Sequence, residues 1–192
     1  MNRTLGFAAA GIASVAMLAF PPQLLAGSAT FLVATKKLVI KDNADPAKYK
    51  VKIVIKDPAL TLDTLNPHAQ SVHMYFYSSE RNDWSNGIDM LSTMWTVKKA
   101  GFNYKEDQDG IKVIAKLREG KLVFKSTGYP FVFPLLGAPP TGSIAYRFST
   151  GGNNICGLVP GMNGTVKKDD PVKGIFVAVK SEAPAGCPAF ED

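Results

Sequence analysis

From residue 49 to 56 the chain alternates with a period of two. Tyr49, Val51, Ile53 and Ile55 fall on one side, Lys50, Lys52 and Lys56 on the other, and only Val54 interrupts the polar row. A period of two gives a strand with one buried face and one wet face. Leu38, Val39 and Ile40 supply a partner strand. Between the two lies Asp42-Asn43-Ala44-Asp45-Pro46. Asp and Asn bend the chain by bonding nearby backbone, and Pro cannot continue a ladder. Asp57-Pro58 closes the second strand in the same way, so residues 38–58 read as one β-hairpin. The oxygens of Asp42 to Asp45 also offer a calcium loop. Their spacing lacks the Gly and terminal acid of an EF-hand, which favours the plain turn.

The rest of the chain repeats this grammar. Residues 59–69 read as a loop. Residues 71–77 alternate again, with Val72, Met74 and Phe76 on one face and His73, Tyr75 and Tyr77 on the other. Asn86-Gly87 is a turn signal. Residues 88–95 mix helical and extended spacing and read as strand, then loop. Residues 101–106 and 111–117 flank an Asp-Gly turn, and residues 121–127 form a further strand after Gly120. Residues 128–140 are rich in aromatics and proline, which confines them to an edge strand or a crossing connection. Residues 143–149, 153–158 and 172–180 complete the set. The expected architecture is all-β: an antiparallel β-sandwich of about eight or nine strands, with a β-barrel as the alternative.

Residues 1–26 read as a signal peptide: Arg3, an uncharged apolar run, Pro21-Pro22, then small residues. Cleavage after Ala26 or after Ala29 satisfies the small-residue rule. The run is short for a bilayer span, so no stable membrane span is expected after processing. Residues 30–192 then form a single β-rich domain. Removing Arg3, with no acid in the segment, takes the net charge from +6 to +5. That excess is modest and spread along the strands, so nucleic acid is not an expected partner. The expected location is secreted or periplasmic. The chain has two cysteines, Cys156 and Cys187. A structural disulfide pinning the C-terminal tail is the simplest reading in an oxidising compartment, with two buried thiols as the alternative.

Three stretches carry a resemblance: LVIKDNADPAKYKVKIVIKDP, then YKEDQDGIKVIAKLREGKLVFKSTG, then the ending TGSIAYRFSTGGNNICGLVPG with VKKDD and APAGCP. Together they resemble a family of uncharacterised secreted bacterial β-rich proteins. The resemblance covers most of the chain after residue 26, and the Cys156/Cys187 pair matches its pattern. It implies export and fold class and carries no enzymatic activity. Residues 58–94 depart from it.

Motifs for catalysis are sparse. The two histidines, His68 and His73, stand five apart, an odd interval that places them on opposite strand faces. No Gly-x-Ser-x-Gly elbow occurs, no Gly-rich phosphate loop precedes a helix, and most acids sit in turns. The chain reads as a non-enzyme without cofactor or metal. Two binding features remain. His73, Tyr75 and Tyr77, with Trp84 and Trp95 following, offer an aromatic row on which planar ligands stack; the alternative is that this face is core. Lys50, Lys52, Lys56, Lys112, Lys116, Lys121 and Lys125 offer cations to an anionic polymer; the alternative is a solvated face that discourages edge pairing. The expected function is an exported binding or interaction module whose partner is an envelope polysaccharide or a protein. A structural envelope component is the alternative, and a hydrolase the third reading.

Overall fold

The computed structural model describes residues 28–78, 83–84, 87–128 and 142–188. The signal-peptide reading and the proline-rich stretch at 129–140 lie outside them. The described residues form fourteen strands in two sheets. The strands are β1 (Thr30–Leu32), β2 (Thr35–Lys41), β3 (Lys50–Lys56), β4 (Val72–Ser78), β5 (Asp83–Trp84), β6 (Ile88–Met90) and β7 (Trp95–Lys98). They continue with β8 (Gly101–Gln108), β9 (Ile111–Arg118), β10 (Lys121–Thr127), β11 (Ile144–Thr150), β12 (Asn153–Val159), β13 (Thr165–Asp170) and β14 (Ile175–Ser181).

The smaller sheet runs β1-β12-β11-β4, with the short β5 and β6 both pairing β4. The larger runs β13-β14-β2-β3-β10-β9-β8-β7. All pairings are antiparallel except β1 with β12. Neither sheet closes on itself, so the fold is the expected sandwich and not the barrel.

The alternation seen in the sequence decides which faces meet. Leu38, Ile40, Val51, Ile53, Ile55, Leu122, Phe124 and Phe176 point inward from the larger sheet. Val72, Met74, Phe76, Tyr146, Phe148 and Ile155 point inward from the smaller. Every one of these is essentially fully buried, and each large apolar side chain contributes roughly 1.5–3 kcal/mol of transfer energy. Tyr146 puts a hydroxyl into this core, where Thr35 Oγ1 lies 2.7 Å away as its partner.

Turn chemistry sets the registers. Asp109 and Gly110 both have positive φ between β8 and β9. That is the conformation a two-residue hairpin turn with the twist of its strands demands. Asp45 ends the first hairpin's loop by capping a short turn at Pro46–Lys48, accepting from the Ala47 N–H at 3.1 Å. Asn43 Oδ1 accepts from the Asp45 N–H at 3.0 Å. Two of the groups that suggested calcium, Asn43 and Asp45, thus use a side-chain oxygen to shape the turn.

Candidate functional site

The larger sheet carries its cations on the face turned away from the core. In β3, Lys50, Lys52 and Lys56 alternate with the buried Val51, Ile53 and Ile55; in β10, Lys121 and Lys125 alternate with Leu122 and Phe124. The two strands are 65 residues apart in sequence, yet they pair directly. Their register sets Lys52 opposite Lys125 and Lys56 opposite Lys121. On the flanks Lys41 faces Lys50, and Lys121 also faces Arg118. Lys37 and Lys116 lie one strand further out, opposite Val54 and Val123, which face each other at the centre.

Two acids share this face, at its margins. Asp107 pairs Lys112 at 2.7 Å and Asp170 pairs Lys168 at 3.4 Å. Each carboxyl is held below the ordinary carboxylate range. For Asp107 the main cause is the Lys112 hydrogen bond; for Asp170 it is the Lys173 backbone N–H, with Lys168 adding to it. Among the described residues, no acid pairs with the central lysines.

Like charges directly opposite on a strand pair repel and destabilise. Lysines earn their place on edge strands by blocking association, but β3 and β10 are the two central strands of this sheet. Edge protection therefore does not account for them.

The smaller sheet's outer face carries the aromatic row. The inward face of β4 is Val72, Met74 and Phe76; His73, Tyr75 and Tyr77 lie outside and half-exposed. The core alternative for these three is therefore corrected: the sandwich buries the Val72, Met74 and Phe76 side of this strand. The row has contacts of its own. His73 Nδ1 bonds Asp89 Oδ1 on β6. The His73 and Tyr75 rings stack with centroids 6.3 Å apart and planes 20° from parallel. The Arg147 guanidinium lies 5.5 Å from the Tyr75 ring centre. A Cβ on Gly87 would meet that ring at 2.6 Å, so the tyrosine lies against the bare backbone there.

Trp84 pairs through its backbone with Tyr77; its side chain is outside the described residues. Trp95 is a correction. It is 2% exposed, on the inner face of the larger sheet, 5.3 Å from Tyr104 and edge-on to Phe148 at 6.3 Å. It belongs to the core because β7 pairs β8 and not the sheet that holds the row.

An acyl-transfer centre needs a hydroxyl on the imidazole. Ser149 stands opposite His73 on β11 but donates to Asn154 Oδ1 at 2.7 Å. His68 is exposed on the 57–71 loop. Cys156 and Cys187 form the expected disulfide. Among the described residues no helix is long and apolar enough to cross a membrane, and no cluster of three or more His, Cys, Asp or Glu is placed to hold a metal. No protein-family model matches the chain, and neither do any curated proteins or solved structures.

Proposed function

We propose that the protein is an exported, non-catalytic binding module that engages an anionic partner through the outer face of its larger sheet. One observation carries the reading: opposed lysine pairs at the centre of that sheet, with the acids confined to its margins. Isolated folding gains nothing from Lys52 against Lys125 or Lys56 against Lys121. An anion between them converts repulsion into two attractions. The disulfide supports a location outside the reducing cytoplasm, in keeping with the export implied by the N-terminal segment and by the family resemblance.

Partner binding by strand addition has less support. The β13 edge is bulged between Val166 and Lys168 and carries Lys167, Lys168, Asp169 and Asp170, and the opposite edge, β7, has four residues. Bulges, charges and short strands are what blunt a sheet edge.

The experiment is retention of the oxidised protein on immobilised polygalacturonate against neutral dextran, at low and high salt. Retention on the acidic matrix alone, lost at high salt and lost in the Lys52→Glu/Lys125→Glu double variant, is the expected result. Equal retention of wild type and variant would remove the basic face from the account.

A further inference from the structure

The centre of the basic face is not basic. Val54 and Val123 face each other across β3 and β10, half-buried and flush with the sheet. Six lysines enclose them. Lys37 and Lys116 stand at the two sides, Lys52 and Lys125 at one end, and Lys56 and Lys121 at the other. None of the six forms an ion pair among the described residues. From strand spacing the enclosure measures about 14 Å in each direction between backbone positions. Lysine is much longer than valine, so the valines form a floor and the lysine stems, apolar up to the ammonium, form walls.

We propose that this enclosure seats one acidic pyranose unit of an anionic polysaccharide; the inference rests on the anionic-partner reading above and names its ligand class. A small inorganic anion would gain nothing from an apolar floor, because an ion is better solvated by water than by valine. A sugar ring has a different demand. Its C–H faces are apolar and its substituents polar, so the ring lies on Val54 and Val123 while a carboxylate at its edge meets a lysine. The cation rows continue past the enclosure through Lys50 and Lys41 in one direction and Arg118 in another, so neighbouring units of the same chain are also met. A lipid surface is the poorer occupant. Nothing on this floor is long enough to enter a bilayer. A right-handed twist of roughly 20–25° per strand also makes an eight-stranded face a saddle, which a flexible chain follows and a planar membrane does not.

The test is titration of the oxidised protein with oligogalacturonate, linear polyphosphate and phosphatidylglycerol vesicles, with Val54→Thr/Val123→Thr as the decisive variant. Threonine keeps the volume and the β-branch, so the strands persist; a thermal melt checks this. The double variant is expected to bind oligogalacturonate roughly tenfold more weakly with its salt dependence unchanged. Polyphosphate binding should be unaffected. Unchanged oligogalacturonate affinity in the variant, or wild-type preference for polyphosphate, would overturn the sugar seat while leaving the anionic-partner reading intact. Vesicle binding without oligosaccharide binding would replace the seat with a membrane surface. Failure of all three probes would remove both readings.

Discussion

Lys52 and Lys125 make a stability argument that can be separated from the binding argument. They are direct neighbours, without an acid beside them. In Lys125→Glu the repelling pair becomes a cross-strand ion pair, and the diagonal neighbours Lys50 on β3 and Lys112 and Lys116 on β9 gain an opposite charge. The variant should unfold at higher denaturant, by about 0.2–1 kcal/mol, and bind polygalacturonate less well. Opposite movement of the two quantities marks a residue kept for binding; a fall in both would mark it as structural. Tyr146 makes a second argument at this scale. Its hydroxyl is buried with Thr35, and burial, with a small contribution from Asp57, raises its ionisation well above the usual tyrosine range; Tyr104 is raised by burial and by Glu106. A raised folded value means the stability is complete below the unfolded value near pH 10 and is lost as pH climbs through the folded one. Between those limits the unfolded chain holds fewer protons, so stability falls by about 1.4 kcal/mol per pH unit per tyrosine. Alkaline denaturation should therefore be shallower in Tyr146→Phe, which also loses about 1–3 kcal/mol at neutral pH by stranding the Thr35 hydroxyl.

At the scale of elements, what the sequence made legible was whatever a short window controls. The Asp109-Gly110, Glu119-Gly120 and Gly151-Gly152 turns sit between strands paired in the expected way. The inward and outward sides of β3, β9 and β10 follow directly from alternation. The elements that were hidden lack that signal. β13 is Thr165 to Asp170, almost entirely polar, and exists because it pairs β14 at the sheet margin. β1 has three residues and pairs β12 from 124 positions away. Strand β4 had two plausible inner faces, because Tyr and His sit as well beside a core as outside it; only the second sheet decides. The pairing of β3 with β10, which assembles the basic face, is likewise non-local. The start of β1 bears on processing. The Ala29 N–H donates to Asn153 Oδ1 at 2.7 Å and its carbonyl accepts from the Asn154 N–H at 2.8 Å. Cleavage after Ala26 keeps both bonds and cleavage after Ala29 removes both. On the export reading, N-terminal sequencing of the purified protein should begin at Gly27; a start at Thr30 would show that these bonds are dispensable.

For the whole molecule, the disulfide joins what the core alone leaves at the periphery. Cys156 lies buried on β12 of the smaller sheet, while Cys187 follows β14 of the larger one after a tail with no strand pairing. The bond thus ties the tail that follows the larger sheet to β12 of the smaller one across a separation of 31 residues. In the chain-entropy account a loop of that length contributes roughly 3–4 kcal/mol by restricting the unfolded chain. The folded state should not need it for shape, because both sheets and the entire core are complete before residue 182. Cys187→Ser should therefore keep the far-ultraviolet spectrum of the wild type and melt about 10 °C lower. Its affinity for polygalacturonate should be unchanged, since Cys187 is bonded to β12 of the smaller sheet and the lysines lie on the outer face of the larger. Lost affinity in a variant that still melts cooperatively would mean that the tail reaches the basic face, and the two sheets would then have to be treated as one binding surface.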